Sequence, residues 1–195
     1  MALFKRWARL LAPLLFWLAV WQLAALGVAS PLLLPGPLLV WERFCALSVT
    51  ADFWLSAAAS LARIGSGYLL ALGVGAGFAV ATTQNRLADL LLSPLLRIVK
   101  TVPVASFIVL ALLWLGKSLV PLFIAFLMVL PLVWANVSRG IQQTDPGLLE
   151  MARCFGLGPG ARLRRVQLPA ARPYFFSAAQ TGLGFAWKSG VAAEV

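Results

Sequence analysis

Four long uncharged runs decide what this chain can fold into. Residues 10 to 41, between Arg9 and Glu42, are 32 consecutive positions without a charge, opening LLAPLLFWLAVWQLAALGVAS. Residues 64–85, 101–116 and 118–138 form three more such runs. About 20 apolar residues in a helix cross the hydrocarbon layer of a bilayer, so runs of this kind read as membrane spans. The composition agrees, with 62% hydrophobic and 11% charged residues and a mean hydropathy of +0.92. A soluble domain carries about a quarter charged residues. The expected fold class is an all-α membrane protein, a multi-span helical bundle.

The runs place five spans. The first covers about 10–28, beyond which Pro31, Pro35, Gly36 and Pro37 break the helix. The others cover about 60–83, 101–116, 118–138 and 173–195. Pro103 opens the third in a first helical turn, where proline is tolerated. This divides the chain into an N-terminal span with its outer loop, 1–53, and a membrane core, 54–195, whose cytoplasmic loop is 139–172. A cleaved leader is disfavoured, because the first apolar run exceeds the roughly 7–15 residues of a signal sequence.

Sixteen Lys and Arg outweigh six Asp and Glu, a net charge of +10. In a soluble protein such a charge points to nucleic acid. Here the basic residues lie between apolar runs, where they set orientation. With the N-terminus in the cytoplasm, Lys5, Arg6, Arg9, Arg86, Arg97, Lys100, Arg139, Arg153, Arg162, Arg164, Arg165 and Arg172 all fall inside. Five spans then leave Val195 outside, directly after an apolar run, and a sixth span is expected beyond it. Cys45 and Cys154 fall on opposite sides, so no intrachain disulfide is expected.

Catalysis by this chain is disfavoured. There is no histidine, which removes imidazole metal sites and Ser-His or Cys-His pairs. The six acidic residues are scattered, and no metal site is expected. Lys188 and Glu194 lie within or near the end of the last span. Ionisable groups are expensive there, which makes both candidates for a translocation path, with pairing to another helix or an interfacial position as the alternative. In the second span Gly65, Gly73, Gly77 and Ala81 share a face at intervals of four or eight, the spacing of a tight helix-packing seam. Pro131, inside the fourth span, frees the carbonyl of Leu127 and is expected to kink the helix.

The cytoplasmic loop is too long and too basic to be a plain turn. Asp145-Pro146 is a helix start, an N-cap side chain followed by proline at the first helical position. The helix runs through GLLEMARCF and stops at Gly156. Gly158-Pro159 starts a second short helix, GARLRRVQ, which Leu168-Pro169 is expected to end. Tethered between two spans, this pair of helices cannot enter a DNA groove. It can rest on anionic headgroups or receive a cytoplasmic partner.

EMARCFG, nine residues, then VQLP resembles the EAA loop of permease subunits in binding-protein-dependent ABC importers. Glu150, Ala152, Gly156, Val166, Leu168 and Pro169 stand at the matching positions. Met151 replaces an alanine, and Val166 an isoleucine. SLARIGSGYLLALGVGAGF, KTVPVASFIVLALLWLG and AWKSGVAAEV are similar to the nitrate/sulfonate/taurine branch of that family. The resemblance covers roughly residues 31–195. It implies a non-catalytic inner-membrane subunit that forms the path for a small anion or organic solute, such as a sulfonate, nitrate, taurine or a vitamin precursor. It implies as partners a separate ATP-binding subunit carrying ATP and Mg, a second permease copy and an extracytoplasmic solute-binding protein. The loop helix would be the coupling helix. The chain has no GxxxxGK[ST] phosphate loop of its own. An ion-driven secondary transporter is the alternative; it would call for an internal repeat or acidic relay residues in the spans, and neither is found.

Overall fold

The computed structural model describes residues 2–28 and 30–194. Val195, which the sequence reading places at the outer surface, lies outside them. Every regular element among the described residues is helical. In order they are α1 (Ala2–Val28), α2 (Pro37–Ser48), α3 (Ala51–Gln84), α4 (Arg86–Thr101), α5 (Val104–Leu115), α6 (Val120–Gln142), α7 (Pro146–Cys154), α8 (Pro159–Arg162), a π-helical turn over Leu163–Gln167, and α9 (Leu168–Ala192). The chain forms two compact units, 1–57 and 58–195, and the boundary falls within α3.

In the first unit the expected outer loop is partly helical. Pro35 and Gly36 stop the chain, and Pro37 at the first helical position starts α2. The indole of Trp21 on α1 donates to the Pro35 carbonyl at 3.1 Å.

The second unit is organised around α6. Val129, Val133, Val137 and Ile141 pack with Ala71 and Ala79 of α3 and Ala171, Ala178 and Ala186 of α9. Alanines and glycines on two helices against branched residues on the third let the axes approach closely. This is how membrane helices gain contact area where lipid removes the hydrophobic drive between them. Tyr68 on α3 donates to the Ala179 carbonyl of α9 at 2.9 Å, and Trp134 on α6 donates to Thr82 of α3 at 3.0 Å.

Three helices are long and apolar enough to cross a membrane, in the segments Leu11–Val28, Ala51–Gln84 and Val120–Gln142. They overlap the first, second and fourth expected spans. α9 matches them in length but is less apolar, since it carries Arg172, Gln180 and Lys188.

The third span requires correction. α5 has 12 residues, about 18 Å at 1.5 Å per residue, well short of the roughly 30 Å hydrocarbon layer. Thr101 and Lys100 belong to α4, and the two helices meet at 110°. Pro103 is the cause: it forces the preceding residue out of the helical region. Val102 accordingly adopts φ −77°, ψ 135°, and Pro103 is the N-cap of α5 rather than part of its first turn. One broken element, α4 plus α5, occupies the place of the expected simple span.

The packing seam of α3 also lies elsewhere within this chain. Gly65, Gly73 and Gly77 have open space where a Cβ would stand. The buried face is Ile64, Gly67, Ala71, Gly75, Ala79 and Thr82. A Cβ on Gly67 would lie 2.2 Å from the Leu122 carbonyl oxygen, and one on Gly75 would lie 2.9 Å from Val133 Cβ. Two positions apart on a 3.6-residue helix are opposite faces, so within this chain α3 packs through the face opposite Gly65, Gly73 and Gly77.

Candidate functional site

Between α6 and α9 the chain folds into a helical hairpin built by its end signals. Asp145 Oδ1 accepts from the Gly147 backbone N–H at 2.8 Å, with Pro146 at the first helical position, so α7 has a satisfied N-terminus. At the far end the Leu157 N–H donates to the Ala152 carbonyl at 3.0 Å, and the Gly156 N–H to the Arg153 carbonyl at 2.9 Å. That pair of bonds is the Schellman closure, which needs its penultimate residue in the left-handed region. Gly156 has φ +72°. Asp145→Ala is expected to cost about 1 kcal/mol of local stability, read as faster amide exchange across residues 147–150 than in the parent protein.

The second arm departs from expectation. Leu168-Pro169 does not end a helix: α8, the π-helical turn and α9 run on as one rod from Pro159 to Ala192. The Leu168 N–H donates to the Leu163 carbonyl, five residues back. A wider turn is the physical answer to Pro169, whose ring would collide with the carbonyl four residues before it in a regular helix and which brings no N–H of its own. The second arm of the hairpin therefore enters α9 without an intervening loop.

The motif residues divide by side. Ala152 is buried, and Val166, Leu168 and Pro169 are half-buried in the π-helical turn and the start of α9. Leu168 packs against the α3–α6–α9 core and lines a cavity of about 370 Å³ with Val80, Val137 and Phe175. Glu150 and Gly156 are exposed. The structure adds three residues to the outer surface: Leu148 (44% exposed), Met151 (52%) and Phe155 (77%). Spaced three and four apart, they form one apolar stripe along α7. The sequence signal for them was present in GLLEMARCF, where apolar residues recur at helical spacing in a helix too short and too polar to be a span.

Lys188 and Glu194 are not brought together. Glu194 accepts from Arg63 Nη2 at 2.9 Å and Nε at 3.1 Å, an ion pair between α3 and the residues that follow α9. Lys188 is exposed and has no ion pair among the described residues. A partly exposed ion pair contributes about 0–1 kcal/mol. Glu194→Arg is therefore expected to lower the thermal midpoint in detergent slightly, and adding Arg63→Glu to restore it. The two cysteines are free and exposed.

These features define a polytopic helical membrane protein with a doubly capped, apolar-faced hairpin held outside its bundle. The chain belongs to the family described as the binding-protein-dependent transport system inner membrane component, whose pattern matches residues 73–195. It is 32% identical over 181 residues to the putative aliphatic sulfonates transport permease protein SsuC of Bacillus subtilis (strain 168), covering 91% of this chain and 65% of the relative. The protein of the same name from Escherichia coli (strain K12) is 31% identical over 198 residues, covering 97% of this chain and 74% of the relative. The bicarbonate transport system permease protein CmpB of Synechococcus elongatus is 26% identical over 198 residues, covering 95% and 70%. The chain thus spans about two thirds to three quarters of the length of these relatives. The family is one of membrane transport subunits without catalysis of their own, as the resemblance implied.

Proposed function

We propose that this chain is a permease subunit of an ATP-driven importer and that the α7 hairpin is its coupling element. The observation that supports this reading is the exposed Leu148–Met151–Phe155 stripe on a helix capped at both ends and joined by a four-residue turn to the continuous helical run from Pro159 to Ala192. A nine-residue helix is too short to hold its shape unaided. Its caps preserve a preformed apolar knob, the form an amphipathic helix takes when it enters a groove on a partner. The partner proposed is the ATP-binding subunit, which carries ATP and Mg. Closure of the ATPase pair would draw the hairpins together, and the continuous rod from Pro159 would carry that displacement into the bundle. Glu150, exposed on α7 beside the stripe, would orient the contact.

The distribution of basic residues supports a cytoplasmic hairpin, with the N-terminus on the same side. A second copy of the chain and an extracytoplasmic solute-binding protein complete the assembly. The relatives are named for aliphatic sulfonates and bicarbonate, so a small anion is the proposed cargo.

The test is affinity purification of the tagged chain from detergent-solubilised host membranes. The expected result is an ATP-binding subunit in stoichiometric amount with the parent protein. Phe155→Asp should recover at least tenfold less of it while the chain still inserts, since a buried charge in an apolar contact has no partner. Equal recovery with Phe155→Asp and with Met151→Asp would dismiss the hairpin as the docking element.

A further inference from the structure

At the break between α4 and α5 lies a cavity of about 350 Å³. Its walls are Lys100, Val102, Pro103 and Val104 from the break, Met128 and Pro131 from α6, and Phe185 from α9. Lys100 is the only charged residue among them. Its position follows from α6: Pro131 is eleven residues after Val120 and eleven before Gln142, the midpoint of the helix. The cavity therefore lies beside the midpoint of α6.

Lys100 makes no ion pair among the described residues, and no side-chain hydrogen bond of its own occurs there. Lys100 is exposed at the end of α4 and shares the cavity wall with Pro131 and Phe185. The neighbouring surface of α9 is polar. Thr181 and Lys188 lie on the same side of that helix as Phe185 and are exposed, away from the face that carries Ala178, Gly182 and Ala186 into the core. An exposed lysine on the cavity wall, polar side chains on the adjoining face of α9 and a broken backbone beside them suit a surface that meets water or a solute better than one that meets acyl chains.

We propose that Lys100 and this cavity form an anion site on the transport path, which takes the oxyanion group of a small solute such as an alkylsulfonate or bicarbonate. This rests on the permease reading for its place in transport, but the site itself is a property of this chain. The ammonium supplies the charge, and its position in the last turn of α4 is where helix carbonyls favour a cation. The apolar walls from Met128, Val104 and Phe185 accept a short carbon chain or none. Pro103 and Pro131 both line the cavity, and Pro131, inside α6, removes one backbone hydrogen bond of that helix there.

The test uses the complex as purified, with Cys45→Ser and Cys154→Ser removing background thiols and Val104→Cys reporting from the cavity wall. Two reagents of similar size are compared: 2-sulfonatoethyl methanethiosulfonate, an alkylsulfonate, and its trimethylammonioethyl counterpart. Both should react, with the anionic rate favoured relative to the same ratio on free cysteine. Lys100→Gln should lower that preference about tenfold, the size a unit charge several ångströms away produces at a protein's effective dielectric. Lys100→Arg should preserve it, and Arg97→Gln should change it less than twofold. Excess ethanesulfonate or bicarbonate should slow anionic labelling with Lys100 and not with Lys100→Gln. An unchanged preference in Lys100→Gln, no labelling by either reagent, or no competition by either anion would each overturn the proposal. Recovery of the ATP-binding subunit in the same preparation reports separately on the permease reading. Its loss with the charge preference intact would remove that reading and leave the site.

Discussion

Gly156→Val is expected to disconnect the hairpin from its partner without disturbing membrane insertion. At φ +72° the backbone of Gly156 lies in the left-handed region, and a Cβ there would meet nothing within 4 Å. The penalty is therefore conformational and not a clash. For an ordinary residue it is about 1–2 kcal/mol, and a β-branched side chain is the worst case. That energy falls on a nine-residue helix whose last carbonyls are satisfied only through this turn. A change of that size shifts a folded-to-unfolded ratio by roughly 5–30-fold, so recovery of the ATP-binding subunit should fall by about that factor. Gly156→Asn, which tolerates the left-handed region, should lie between the parent and Gly156→Val. Equal recovery for all three would mean that the partner does not read α7 as a helix.

The parts of this fold that were legible in the sequence are those set by local chemistry. The Asp145-Pro146 start and the Gly156 stop of α7 were both placed from residue type, because caps and left-handed glycines act within a few residues. The long apolar runs marked the spans because lipid permits little else. What was misread depends on the third dimension. Pro103 and Pro169 are both prolines beside helical sequence, yet one breaks the rod by 110° and the other is absorbed in a π-helical turn. Sequence alone gives each the same missing N–H. Around Pro169 the turn widens, with Leu168 donating to Leu163 and packed on the α3–α6–α9 core, whereas around Pro103 Val102 turns extended and Val104 packs on a separate cluster with Val120 and Ile124.

On α3 the two faces differ in continuity: Leu69 interrupts the four-residue series of Gly65, Gly73 and Gly77. Gly67, Ala71, Gly75 and Ala79 run without interruption, and alanine serves a close approach almost as well as glycine. The two faces give opposite expectations. Gly67→Ala places a Cβ 2.2 Å from the Leu122 carbonyl oxygen, and since a backbone atom cannot rotate aside, α3 and α6 must separate along their length. Overpacking of this kind costs about 1–3 kcal/mol, and the expected result is a lower thermal midpoint in detergent with loss of the Trp134–Thr82 contact. Gly75→Ala meets mainly the Val133 side chain, at 2.9 Å and 3.1 Å, so Val133→Ala should rescue it. Val133→Ala should not rescue Gly67→Ala, because the obstacle there is main chain. Gly73→Ala and Gly77→Ala meet open space and gain up to about 1 kcal/mol of helix propensity, so in the isolated chain they should be neutral or stabilising. If they instead lower stability only when the complex is assembled, that face of α3 is a contact with another subunit. If Gly67→Ala proves as harmless as Gly73→Ala, the α3–α6 packing described here is wrong.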